Sequence, residues 1–275
     1  MLEFRKNVYS QNGEDGIVEY LFDKLNVTDN GTCCEFGSWD GKHLSNTFRL
    51  VKERNFKALY IEGDPERYKE LLKTCEEHPN IVPVCEYVNN NLDDIFERTN
   101  FPFDIDILSI DIDSSDYEVW KAIHKVNPKV VIIEPDNSIP EWNNEPVYPV
   151  RPDGGANPAI LRNLGKEKGY TFVCNTGNMF FVRNDLVNDT IEPDYRTFPW
   201  WLDDKYIHAI KKFSYIVNDF ESYCSKLFDH NDVFTEYLRD NIDPIYHKNV
   251  PTALVNYVKG VRLGHAIESP KNNTP

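Results

Sequence analysis

Eight residues in four short stretches carry the groups that could do chemistry. Glu35, Gly37 and Gly41 stand in "EFGSWDG", Glu62 closes "YIE", Asp111 and Asp113 follow "ILSI", and Glu134 and Asp136 follow "VVII". Glycines spaced as in Glu35-x-Gly37-x-x-x-Gly41 let the backbone turn tightly and approach a ligand without a Cβ in the way. The carboxylate beside them suits a cationic amine. A phosphate cradle would want G-x-x-x-x-G-K-[ST] or a third glycine opening a helix, and this stretch has neither. Glu62 lies where an acid can accept both hydroxyls of a ribose, and Glu86 and Tyr87 end the next apolar run, at an edge suited to an adenine. An acid for an amino-acid end, glycines for close approach and a second acid for a ribose together fit S-adenosylmethionine.

The second group is acidic throughout. Asp111, Asp113 and Asp116 are expected to face Glu134, Asp136 and Asn137 across neighbouring strand ends. Apolar runs ending in several carboxylates are costly unless a cation or hydrogen bonds compensate them. All-oxygen sets are what Mg²⁺, Mn²⁺ or Ca²⁺ prefer. A divalent ion there could hold two oxygens of a diol and lower the pKa of the reacting hydroxyl, with a neighbouring carboxylate taking the proton. His43, in the loop beside the glycines, is the runner-up base. Asp116 is expected to be a helix N-cap ahead of "YEVWKAI". No serine, histidine and acid arrangement with a nucleophile elbow is present.

These groups need elements to position them. From about Thr32 to Val182, β-rich apolar runs ("TCCEF", "ALYIE", "IVPVC", "DILSID", "VVIIEP", "YTFVC", "MFFVR") alternate with stretches of helical spacing such as "PERYKELLKTCEEH" and "NPAILRNLGKEKG". That rhythm predicts a Rossmann-like α/β fold, a mostly parallel seven-stranded sheet with helices on both faces. The last two runs, joined by "NTGN", predict a hairpin adding an antiparallel strand. "YSQNGEDGIVEYLFDKLNV" reads as a polar turn entering an amphipathic helix. Residues 1–185 are thus expected to form the cofactor-binding domain with its leading helix. Residues 186–275 are expected to be a helical C-terminal extension packed on the same domain, its Trp200 and Trp201 closing the cleft or making a homo-oligomer contact.

Composition bounds the partners. The chain has 275 residues, 40% of them hydrophobic and 13% aromatic, enough to bury a sizeable core. A net charge of -15 repels phosphate backbones and anionic membrane surfaces, which argues against nucleic acid as a partner. No apolar run approaches the roughly 18 residues of a membrane span, and no cleavable leader follows Met1, so no membrane insertion is expected. Six cysteines without C-x-x-C or zinc spacing fit a reduced, cytoplasmic setting.

The motifs "EFGSWDG" and "YIEGD", with the leading "YSQNGEDGI" and "LSNT", resemble class I S-adenosylmethionine-dependent methyltransferases, nearest to FkbM-type and related sugar O-methyltransferases, over roughly residues 8 to 185. The resemblance implies S-adenosylmethionine at Glu35, Gly37, Gly41 and Glu62. Gln11, Ser45 and Asn46 would line the methionine end, although helix capping by Ser45 or Asn46 is an equal reading. "DID" followed one strand later by "EPDN" is similar to metal-dependent natural-product sugar O-methyltransferases. That comparison implies Asp111 as a metal ligand and Asp113 as base, with the remaining ligands drawn from Glu134, Asp136 and Asn137; Asp111 is expected also to take part in catalysis and to border the cofactor, and the proline in "EPDN" departs from the pattern of adjacent acids. The long loop after the fifth run offers Trp142 and Tyr148 to stack on a sugar and Arg151 to pair with a phosphate or carboxylate. The expected activity is sugar O-methylation in polysaccharide biosynthesis, on a nucleotide sugar or a surface-glycan precursor. The alternatives are a small phenol, carboxylate or phosphoramidate acceptor, or a non-catalytic binding module. A nicotinamide-dependent oxidoreductase is disfavoured because G-x-G-x-x-G is missing.

Overall fold

The computed structural model describes residues 1–135, 156, 158–194 and 220–230, with single positions at 235, 239, 251 and 255. Helix α1 (Glu14–Lys24) precedes β1 (Thr32–Phe36), α2 (Phe48–Arg54), β2 (Lys57–Glu62), α3 (Pro65–Glu77), β3 (Ile81–Cys85), α4 (Leu92–Thr99) and β4 (Asp104–Ile110). Helix α5 (Asp116–Ala122), β5 (Asn127–Ile133), α6 (Pro158–Glu167), β6 (Tyr170–Asn175) and β7 (Met179–Arg183) follow. The strands form one seven-stranded sheet ordered β3-β2-β1-β4-β5-β7-β6, parallel except for β7. This is the Rossmann-like α/β fold that the strand-helix rhythm predicts.

Both faces are covered, so strand residues alternate between two cores rather than between core and water. Cys34, Phe36, Leu59, Ile61, Leu108, Ile110, Val131 and Ile133 pack with Leu92, Ile95 and Phe96 of α4, Val119 and Trp120 of α5, and Leu161 and Leu164 of α6. Cys33, Ala58, Tyr60, Ile107, Val130 and Ile132 face the other way, against Ile17, Leu21 and Phe22 of α1 and Phe48 and Val51 of α2. The start of α3 is set locally, whereas α1, α2, α4 and α5 begin without a side-chain cap bond. Asp64 caps α3 by accepting from the Glu66 and Arg67 amides ahead of Pro65 at the first helical position, a cap worth about 1 kcal/mol.

The register lines up one edge of the sheet. Phe36 pairs with Ile110, Ile110 with Ile133, and Ile133 with Met179 of the antiparallel β7. The next residues outward are Gly37, Asp111, Glu134 and, because β7 runs backwards, Asn178. Strand order reverses between β1 and β4, and ligands of open α/β sheets bind at such a switch point beyond the carboxyl ends.

The chain divides into two compact units, Met1–Asp136 with Pro146–Asp194, and Asn137–Glu145 with Tyr195–Pro275. In the second unit a short helix, Phe220–Ser225, is followed by a single 3-10 turn at Leu227–Asp229. There the Tyr223 ring stacks on His230 at 4.3 Å, and Arg239 donates to the carbonyls of Phe228 and His230. Among the described residues, no helix is long and apolar enough to cross a membrane.

Candidate active site

Gly37 and Gly41 sit at φ +73° and +76°, where L side chains rarely go. An added Cβ at Gly37 would collide with the Asp111 carbonyl oxygen, so the turn after β1 lies directly on the segment after β4. The Gly37 and Ser38 amides both donate to the Ile61 carbonyl, tying the same turn to β2.

Glu35 is 4% exposed, and donors from its own chain engage both its oxygens. Oε2 accepts from Ser45 Oγ at 2.7 Å, from the Thr47 amide at 3.1 Å and from the Thr47 hydroxyl, while Oε1 accepts from the Asn46 amide at 3.1 Å. Burial pushes its pKa up and these donors pull it down, burial being the larger effect. Ser45 Oγ also accepts from the Phe48 amide at 2.9 Å, but the N-cap of α2 is Thr47, which makes no side-chain cap bond, so neither Ser45 nor Asn46 is the helix cap. Asn46 donates to Ser109 Oγ at 3.1 Å and Thr47 meets Tyr60 OH at 2.9 Å. Glu35 therefore fastens the loop between β1 and α2 from beneath.

Glu62, 5% exposed, accepts from the Trp39 amide through Oε2 and from the Asp64 amide through Oε1, each at 2.8 Å. With one amide on each oxygen, a lone pair on each is left for a ligand hydroxyl. Glu86 is ion-paired with Arg98 and accepts from Asn91 Nδ2 at 2.6 Å. Tyr87 beside it is exposed and lies over Gly63, where a Cβ would strike its ring. Gln11 is exposed, its carbonyl accepting from Asn7 at 2.7 Å.

Asp111, Asp113 and Glu134 each bring a carboxylate oxygen to within 4.8 Å of the others. Asp113 is the exposed member and adopts φ +57°. Burial, and then the charges of Glu134, Asp116 and Asp113, hold the Asp111 carboxyl well above the usual carboxylate range. This donor set fits a divalent cation: all oxygen, and drawn from two neighbouring strand ends. Asp116 is not the forward N-cap expected. It is the first residue of α5, and its carboxylate turns back to accept from the Ile112 and Ser114 amides at 2.9 and 3.1 Å. It braces the loop that carries Asp113.

His43 is exposed, its ring edge-on to Trp39 at 5.4 Å and its amide on Asp40, and it is not among the side chains gathered at Asp111. Asp136, Asn137, Trp142, Tyr148, Arg151, Trp200 and Trp201 lie outside the described residues. Asn178, which no sequence motif marks, is 6% exposed and donates to Asp111 Oδ2 at 3.4 Å. The leading turn joins it there: Glu14 accepts from Thr176 Oγ1 at 3.1 Å, and the Asn12 side chain packs on Gly177.

No protein-family model matches the sequence, and the comparison with curated proteins finds no match. Among solved structures the chain is similar to M. capricolum TrmK, solved with the natural cofactor product S-adenosyl-homocysteine (14% identity, 87% of this chain and 96% of that one, TM-score 0.41). It is similar also to a SAM-dependent methyltransferase from Aquifex aeolicus (12% identity, 60% and 87%, TM-score 0.37). A third is the CurJ carbon methyltransferase (11% identity, 63% and 55%, TM-score 0.43). The fold assignment stands on the strand order itself.

Proposed function

We propose that the chain is an S-adenosylmethionine-dependent O-methyltransferase whose acceptor is a sugar hydroxyl, on a nucleotide sugar or a capsular or surface-glycan precursor, and that a divalent ion assists. The observation that carries the reading is the meeting of three carboxylate oxygens within 4.8 Å at the sheet edge, with Gly37 of the turn after β1 against the Asp111 backbone.

The cofactor would lie across the ends of β1 and β2, its ribose at Glu62 and its methionine end over the Gly37 to Gly41 turn. Asp111 and Glu134 would hold Mg²⁺, or Mn²⁺ or Ca²⁺ in its place, with Asp136 or Asn137 completing the set. A bound ion of this kind supplies Lewis-acid assistance, lowering the pKa of the acceptor hydroxyl. In the transfer itself the acceptor oxygen forms a bond to the sulfonium methyl as the carbon–sulfur bond breaks. Asp113, the exposed acid of the group, takes the hydroxyl proton. Methyl ether and S-adenosylhomocysteine are the products. The reaction needs alignment and deprotonation rather than a covalent intermediate, in keeping with acids at the site and no activated nucleophile among the described residues.

Calorimetric titration with S-adenosylhomocysteine, repeated after EDTA and with Mg²⁺ restored, tests the reading. Micromolar binding supports the Glu62 assignment, and a dependence on Mg²⁺ supports the ion; absence of binding in every condition removes the methyltransferase reading altogether.

A further inference from the structure

Trp39 has a backbone that its side chain does not favour. Its φ is +46°, in the left-handed region that suits glycine or asparagine and is rare for a bulky residue. Burial does not hold it there, since the residue is 38% exposed. Backbone bonds of the turn bracket it, the Ser38 amide donating to the Ile61 carbonyl and the Gly41 amide to the Ser38 carbonyl, and its side chain adds contacts to α3. The indole Nε1 donates to Glu70 Oε2 at 2.8 Å, and the Arg67 guanidinium carbon stands 4.5 Å from the ring centroid. His43 closes a third side, edge-on at 5.4 Å. A strained residue kept in place by several specific contacts is a reason to look for function nearby.

What the brace presents is the Trp39 amide, which donates to Glu62 Oε2 at 2.8 Å. The other oxygen of Glu62 takes the Asp64 amide at the start of α3. The indole thus latches the turn after β1 to the same helix whose N-cap residue pins Glu62 from the other side. A carboxylate held by one amide on each oxygen cannot rotate, and its free lone pairs keep one direction.

We propose that Trp39 is a positioning residue for the ribose end of the cofactor: braced on α3, it holds its amide on Glu62 and so fixes the direction in which that carboxylate meets the ribose hydroxyls. The inference rests on the reading that this site binds S-adenosylmethionine. It is about selectivity between ligands rather than about affinity alone, and that separates it from a structural role.

The test is calorimetry with two ligands, S-adenosylhomocysteine and its 2′-deoxyribose analogue, on the full chain. Wild type is expected to bind the deoxy analogue about tenfold more weakly, the loss of one hydrogen bond to a charged acceptor. Trp39→Gly is expected to bring S-adenosylhomocysteine down to the affinity of the analogue, with the discrimination falling to less than about twofold. The double variant Arg67→Ala with Glu70→Ala removes the brace from exposed helix positions while leaving Trp39 in place, and is expected to do the same if Trp39→Gly does not fold. Equal weakening of both ligands, or no change in their ratio in the double variant, overturns the proposal, as does a wild type that binds the two ligands equally. A wild type that binds neither ligand overturns the cofactor reading and this inference with it.

Discussion

Asn178 donates its side-chain amide to Asp111 Oδ2 at 3.4 Å from within a hairpin turn, an element that ordinarily stands in water. Here Asn175, Thr176 and Asn178 are 5%, 0% and 6% exposed. The turn is buried because β7 runs antiparallel to β5 and carries Asn178 to the edge row occupied by Asp111 and Glu134. A polar donor at that point faces the most crowded carboxylate of the site.

Replacing that donor with a further acid isolates its effect. Asn178→Asp keeps the shape and sets a fourth carboxylate beside Asp111. The variant is expected to lose about 1–3 kcal/mol of stability in denaturant titration without metal. Part of the loss should return with Mg²⁺. An unchanged midpoint would mean that the amide contact has no energetic weight.

Asp111→Asn should act in the opposite direction on stability. Burial first, then Glu134, Asp116 and Asp113, hold the Asp111 carboxyl above its ordinary value of 3.8. A carboxyl whose folded pKa is raised contributes stability that is full below its unfolded value and is lost as pH rises through the folded one. The neutral variant escapes that loss. It is expected to melt above wild type at pH 8 in EDTA, by about 2–4 °C for each kcal/mol relieved, with the gap closing as the pH falls toward 3.8. Mg²⁺ should raise the wild-type midpoint and leave the variant unmoved. A variant that melts lower at pH 8 would show that Asp111 is not held under charge repulsion.

The sheet was legible because each strand is a short apolar run ended by a polar residue. "TCCEF" lies at Thr32–Phe36, and Glu62 closes β2. Periodicity also placed Asp111 and Glu134 just past β4 and β5. Side-chain direction is a different matter. Glu35 belongs to a strand end as expected, yet its partners are the Ser45 to Thr47 segment, and no spacing rule states that a loop will fold back under its own strand. Asn178 was hidden for another reason: asparagine beside glycine is what any tight turn contains, so composition cannot tell a turn in water from one in a site. Trp39 gave no signal because a positive φ on tryptophan runs against residue preference.

Glu35→Gln tests the loop clamp. Three donors converge on Oε2 and one on Oε1, so a glutamine amide has no orientation in which its NH2 avoids a donor. Leaving a buried donor unsatisfied costs about 1–3 kcal/mol, read as a lower urea midpoint with an unchanged slope. Binding of S-adenosylhomocysteine should weaken as well, through the loosened turn at Gly37. Wild-type stability in this variant would mean that the donors find water instead.

Asp113→Asn separates chemistry from binding. Asp113 is exposed at φ +57°, a conformation asparagine tolerates as readily as aspartate, so the substitution leaves the loop and the Asp116 brace in place. The amide keeps an oxygen but cannot take a proton. Methyl transfer to a glycan acceptor, followed as S-adenosylhomocysteine formed, is expected to fall by about 10²–10⁴-fold. Calorimetric affinity for S-adenosylhomocysteine should stay within about twofold of wild type, because Asp113 is not among the residues expected to touch the cofactor. A variant that retains its rate would move the base elsewhere, and His43, in the loop after β1, would be the next residue to replace.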